Sequence, residues 1–249
     1  MRDVGERGAA LLVVLFALTL VSAVTAVLVM GATTETLLAA NAGAHSEALS
    51  AASAVLARTA AEVRAATSLS ALLDGSVPSR FVDGAPGVRT LPDGTNLDVT
   101  DLVHRANCNR ARPCTTAELD AVATDRPWGP RNPRWRLYSY GPLVPPAGTP
   151  SSDLPIYVVS MVADDPADAD GDPQVDGGGS GVPVNRGAGV LLVRGEAYGR
   201  RGAVRVVEAT VVRPDVVARA AWAAADPATR GPAPAFAAEV QIRGWREVR

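Results

Sequence analysis

The sequence predicts an α+β fold in which one long N-terminal helix lies against an antiparallel β-sheet with long irregular loops. Three observations predict it. Residues 9–34 form a run of 26 without a charge or a proline, longer than the roughly 20 that cross a bilayer core as a helix. A stretch dominated by alanine, leucine and glutamate continues from it to residue 66, and the first proline is Pro78. The C-terminal half then carries several β-rich runs, and a helix laid across an antiparallel sheet is a stable two-layer plan.

Within the first segment, Leu11, Leu12, Val13, Val14, Leu15, Phe16, Leu18, Leu20, Val21, Val24, Val27, Leu28 and Val29 each favour insertion into a membrane. Together they contribute on the order of -4 to -8 kcal/mol, less a cost for Thr19, Ser22 and Thr25. Backbone polar groups in lipid must bond internally, so the segment is a helix. A cleaved secretory signal is the competing reading. Its apolar core would be shorter, and Val29-Met30-Gly31-Ala32 is a weak cleavage match. Arg2 and Arg7 precede the span, with Asp3 and Glu6 beside them. Basic residues set orientation, so the N-terminus is expected in the cytoplasm and the rest of the chain beyond the inner membrane.

The helix is expected to run on. Between residues 35 and 66 only Gly43 is a poor helix former, and Gly31 is the one place where the helix would loosen at the membrane boundary. Leu38, Ala42, Leu49, Ala52, Leu56 and Val63 recur at spacings of three, four or seven, which puts them on one face. Glu47, Arg58, Glu62 and Arg64 fall largely off it. A helix over residues 9–66 would be about 87 Å long. The expected organisation is a leader at 1–8, a transmembrane helix at 9–34, its soluble continuation at 35–72, and an α+β domain at 73–249.

From residue 74 to 155 the chain reads as irregular. Asp74-Gly75, Asp83-Gly84, Pro86-Gly87 and Pro92-Asp93-Gly94 mark turns, and Pro145-Pro146-Ala147-Gly148-Thr149-Pro150 a loop. Exposed loops of this kind tend to carry recognition. Cys108 and Cys114 are the only cysteines. Outside the inner membrane they are expected to pair, stabilising the fold by about 2–3 kcal/mol on the chain-entropy account. Free thiols are the alternative. Zinc finds few ligands, since His45 and His104 are the only histidines.

Four runs then read as strands: residues 137–140, 156–162, 190–198 and 203–212. Gly199-Arg200-Arg201-Gly202 joins the last two as a hairpin turn. Residues 214–225 are expected to form a short helix starting at proline, and residues 236–248 either an edge strand or a loose tail. Between the second and third strands lies an acidic loop. Asp168, Asp170, Asp172 and Asp176 stand at positions one, three, five and nine of an EF-hand-like pattern, a possible calcium site. Pro173 replaces the turn glycine and Gly179 the bidentate glutamate, so a bare solvated turn leading into Gly177-Gly178-Gly179-Ser180-Gly181 is the alternative. No cofactor is required by any motif.

Composition narrows the function. The formal net charge is -2, which offers no electrostatic footprint for nucleic acid. All 24 basic residues are arginine, and with the abundant alanine this reads as a GC-rich codon background. The chain has no His-Glu-x-x-His pair, no Gly-x-Ser-x-Gly elbow and no P-loop lysine. His104 reads as a surface residue. An enzyme is not expected.

The segment Glu6-Arg7-Gly8-Ala9-Ala10-Leu11-Leu12-Val13-Val14-Leu15 resembles the N-terminus of prepilins. In that class a short charged leader ends in glycine and a prepilin peptidase cuts after it. The resemblance implies cleavage between Gly8 and Ala9, with Ala9 as the methylated mature N-terminus. Glycine lets the backbone extend into a protease site. Val13 stands where major pilins carry a glutamate; PilX-type minor pilins and the K-type minor pseudopilins of type II secretion share that absence. Thr33-Thr34-Glu35, Asn41 and the alanine-rich Leu49-Ser50-Ala51-Ala52-Ser53-Ala54-Val55-Leu56 resemble the PilX N-terminal region, although Ser53 replaces a frequent glutamate. The likeness covers residues 5–66, and more weakly 189–213.

It implies a pilin-like fold and a protein stored in the inner membrane, its soluble domain periplasmic. Such a subunit is then built by helix packing into a type IV pilus or pseudopilus, priming or capping it. The implied partners are other minor pilins, the major pilin, prepilin peptidase and the inner-membrane assembly platform. Ala17, Ser22, Ala23, Ala26 and Gly31 would let neighbouring helices approach closely. A single-pass membrane anchor bearing a periplasmic binding domain unrelated to pili is the alternative.

Overall fold

In the computed structural model the described residues are 4–91, 93–144, 156–168, 170–177, 187–214, 216, 221–222, 225–229, 231–232 and 239–248, with side chains from residue 10 onward. Arg2 and Asp3, the 145–150 loop, residues 178–181 and most of the expected 214–225 helix lie outside them. Among the described residues the architecture is α+β, with a long N-terminal helix, shorter helices and two antiparallel sheets. The chain divides into two compact units, Met1–Ala44 and His45–Arg249, and the first helix, α1 (Val4–Ala65), has residues in both.

The first unit is helical throughout its described length, and α1 runs through Gly31 and Gly43 without interruption. Every described side chain from residue 10 to 39 is exposed, including Phe16 at 72 % and Met30 at 71 %. By length and composition this helix is able to cross a membrane. Its threonine hydroxyls are satisfied locally. Thr19 Oγ1 donates to the Phe16 carbonyl and Thr25 Oγ1 to that of Val21, both at 2.8 Å. Thr33 and Thr34 both donate to the Met30 carbonyl. Such bonds to the preceding turn let hydroxyls sit in an apolar helix.

In the second unit a five-stranded antiparallel meander forms the centre, in the order β3 (Arg136–Leu143), β4 (Ile156–Asp164), β5 (Val190–Tyr198), β6 (Val204–Val212) and β7 (Gln241–Val248). The expected hairpin turn at 199–202 joins β5 to β6, and the C-terminal tail returns as the edge strand β7. Residues 45–65 of α1 lie on one sheet face. Thr59 Oγ1 donates to Ser160 Oγ at 2.8 Å, and Ser139 Oγ lies 2.6 Å from the same atom. Tyr138 donates its hydroxyl proton to Glu62 at 2.9 Å. The buried Arg213 donates to the Ala66 carbonyl at 2.6 Å and holds the C-terminal end of α1.

The opposite face is covered too. Leu91, Val99, Leu102, Trp135, Tyr140, Tyr157, Val159, Met161 and Ala163 form one buried cluster there. Alternation along β4 sends Val158, Ser160 and Val162 towards α1 and Tyr157, Val159 and Met161 away from it. With both faces buried, β4 has no polar side, which is why its sequence is a continuous apolar run rather than an alternating one.

Two expectations need correction. The stripe on α1 buries Ala48, Ala51, Ala52, Val55, Leu56, Thr59, Ala60 and Val63, whereas Leu38 is 63 % exposed and Ala42 is exposed. A periodic pattern does not say where along a helix its partner begins. Residues 74–155 are also more ordered than they read. They contain β1 (Val88–Thr90) and β2 (Asn96–Asp98), paired across the turn at 93–94, and the helices α3 (Val99–Cys108) and α4 (Thr116–Leu119). A four-residue helix, α2 (Ser70–Leu73), precedes them and buries Leu72 and Leu73. Asp98 caps α3 by accepting from the Thr100 N–H, and Thr115 with Glu118 forms a capping box on α4. Both signals are short, local and set among prolines.

Candidate functional site

Two regions hold the residues singled out above: the start of α1 and the loop leaving β4. At the first, Gly8 and Ala9 are helical in backbone. Glu35 and Asn41 are both exposed on α1, and six residues of helix place them about 120° apart around its axis. Cys108 and Cys114 are joined as a disulfide, between the last residue of α3 and the residue before Thr115. The bridged segment turns on Asn109, whose left-handed φ of 57° ends α3. Arg112 pairs with Glu118 at 2.6 Å, and that guanidinium holds the Glu118 carboxyl down to about 2.

The acidic loop is built from successive side-chain bonds to backbone two residues on. Asp165 accepts from the Ala167 N–H, Asp168 from Asp170, Asp170 from Asp172 and Asp172 from Gln174, at 2.8–3.2 Å. Each aspartate thereby stabilises the next bend of a chain too short of apolar residues to form regular structure. The loop is also pinned against the start of β5. The Gly177 N–H donates to Asp168 Oδ2 at 2.8 Å and the Gly189 N–H to Asp176 Oδ1 at 2.7 Å. Gly187 lies so close that a Cβ there would stand 2.4 Å from the Asp168 backbone. Asp176 is held from a further side, its N–H donating to Ser70 Oγ of α2.

The structure gathers a different set of carboxylates from the one the spacing suggested. Asp168 and Asp170 come together with Asp164, their oxygens all within 4.8 Å of one another. Asp172 and Asp176 are outside that group, although the charge of Asp176 still reaches Asp164. Asp164 is the member that sequence reasoning missed. Its signal was available: it ends an apolar run of the kind that forms a strand buried on both faces. It is 7 % exposed, and its Oδ1 has no hydrogen-bond partner. Burial first, and then the charge of Asp168, push the Asp164 carboxyl up to about 8. Burial likewise raises Asp176 to about 6, against the opposing hydrogen bond from Gly189 and the charge of Arg213.

A cavity of about 40 Å³ lies between this loop and the 130–134 turn, lined in part by Asp164, Asp168, Asp170, Asn132 and Arg134. That volume suits an ion or a few waters, not an organic ligand. Asn132 is fully used by the turn, accepting from the Trp128 N–H and donating to the Leu119 and Ala121 carbonyls. Arg134 pairs with Asp120 across it. No protein-family model, no curated protein and no solved structure matches this chain.

Proposed function

We propose that this chain is a PilX-type minor pilin or a related minor pseudopilin: an inner-membrane protein with a pilin-like fold that acts by assembly. The observation that carries the reading is the single unbroken α1, 62 residues long, which is bare and apolar through its first half and contributes its second half to the core of an α+β unit. A simple tether has no need to continue into the core of the domain it holds. Exposed small residues at Ala17, Ser22, Ala23, Ala26 and Gly31 suit close packing of neighbouring helices.

In this reading prepilin peptidase cuts between Gly8 and Ala9, and the mature helix is stored in the membrane until the assembly platform draws it into a filament. In a major pilin the glutamate at the position of Val13 would neutralise a neighbour's N-terminal ammonium. A subunit lacking it requires no neighbour ahead of it, which favours a place at the tip, priming or capping the filament beside other minor pilins and the major pilin.

The test is the mass of the mature N-terminus from the native membrane. Loss of residues 1–8 with a methylated Ala9 is the expected result, and Gly8→Val should block it. An intact Met1 would instead mark a membrane-anchored binding domain, and a start beyond Ala32 would mark an export signal.

A further inference from the structure

We propose that the loop leaving β4 is a divalent-cation site, suited to Ca²⁺, in which Asp164, Asp168 and Asp170 supply the carboxylate ligands. The proposal does not depend on the pilin reading.

Geometry is the first support. The three carboxylates approach to within 4.8 Å of one another. Two oxygens bound to one Ca²⁺ at 2.3–2.6 Å lie at most about 5 Å apart, so a single ion is able to reach all three. The second support is independent of the clustering. Asp164 is 7 % exposed, and its Oδ1 is buried with no donor from the protein. A buried carboxylate oxygen without a donor is costly, and native structures satisfy such atoms through water, an ion or a proton. The neighbouring cavity of about 40 Å³ has room for an ion and a few waters.

The chemistry of the donors selects the metal class. Among the described residues the group offers only carboxylate oxygens, and both cysteines are committed to their disulfide. An all-oxygen, loop-borne set suits a hard cation. Three carboxylates fall short of the six to eight oxygens that Ca²⁺ takes, so water completes the shell, as in weakly binding extracellular sites. Mg²⁺ demands stricter octahedral geometry and fits a bent loop less well.

Binding would have a structural consequence. Asp164 ends β4, while Asp168 also accepts from Gly177, at the far end of the loop. A cation shared by Asp164, Asp168 and Asp170 therefore ties the strand to both arms of the loop. Arg134 also lines the cavity, but its carboxylate partner is Asp120, outside the group.

The test uses the full-length chain in detergent, stripped of metal with chelator and titrated calorimetrically with CaCl₂. One saturable site per chain and a melting temperature several degrees higher in millimolar Ca²⁺ than in chelator are expected. Asp164→Asn and Asp170→Asn should each weaken binding at least tenfold, and Asp172→Asn should leave it unchanged. Absence of binding by the wild-type chain, with equal melting in Ca²⁺ and chelator, would overturn the proposal. Wild-type affinity in Asp164→Asn, or a loss in Asp172→Asn as large as in Asp170→Asn, would overturn the assigned ligands. These results are read whether or not residues 1–8 have been removed, so failure here is separate from failure of the assembly reading.

Discussion

Replacing Gly195 by alanine tests how closely α1 is seated on the sheet. Gly195 lies at the middle of β5, facing the helix, and a Cβ there would stand 2.6 Å from the Ala52 carbonyl oxygen. It would also meet Val55 Cγ1 at 3.2 Å and Leu56 Cβ at 3.4 Å. Helix and strand must separate by roughly 0.5–1 Å to restore ordinary contact. The nearest atom is backbone, so no side-chain rotation relieves it. Separation is resisted by the Thr59–Ser160 and Tyr138–Glu62 hydrogen bonds and by Arg213 at the end of α1. Overpacking of this kind costs about 1–3 kcal/mol, and relief of glycine's entropic penalty in a strand offsets roughly 0.5–1 kcal/mol. The net is a loss of about 1–2 kcal/mol. For the unit His45–Arg249, that converts to a fall in Tm of roughly 2–8 °C. Circular dichroism melting of the full-length protein in detergent measures it. A Tm that is unchanged or raised would refute the close approach of Ala52 to β5.

Gly43→Ala should act in the opposite direction, because a Cβ at this helical position meets nothing within 4 Å. Helix propensity then adds about 0.5–1 kcal/mol, and amide exchange around residues 43–47 should slow roughly two- to fivefold; unchanged exchange would mean the helix already opens elsewhere. Asn107→Ala should be the more damaging of these changes. The buried Asn107 donates to the Trp135 carbonyl and accepts from the Trp135 N–H, both at 2.8 Å. Its loss strands two backbone groups beside the buried cluster, at a cost of about 2–4 kcal/mol, read as a lowered Tm. Asn107→Asp, which keeps the acceptor, should recover part of it.

How far the sequence disclosed this fold depends on the range of each signal. The β4, β5 and β6 strands were readable because long valine-rich runs bounded by turns have few other outcomes, and the edge strand β7 was one of two open readings. The α3 helix was not read, although Asp98, Val99, Leu102, Val103 and Ala106 carry a cap and a helical apolar face. Its ten residues lie between a hairpin and a disulfide loop rich in turn formers, which dominate any local window. The acidic loop was legible as a constellation and illegible as a site. Spacing selected Asp168, Asp170, Asp172 and Asp176, but the successive bends of the loop carry the Asp172 carboxylate out of the group and set Asp176 against Gly189. The third member of the group comes from the end of a strand, outside any loop pattern.

The alanine content has a structural use as well as a compositional origin. Where α1 crosses the sheet, Ala48, Ala51, Ala52 and Ala60 are buried, and Gly195 meets Ala52. Small residues on both surfaces bring backbones together, which a leucine at position 52 would prevent on steric grounds alone. Close apposition of smooth apolar surfaces supplies affinity but little register, since an alanine face slides with small loss. Register here comes from polar pairs: Thr59 with Ser160 and Ser139 at the centre, Glu47 with Arg200 nearer one end, Arg213 with the carbonyl of Ala66 at the other. The central hydroxyls are buried, so a slipped helix would leave them without partners, and that penalty fixes the seating where apolar contact cannot.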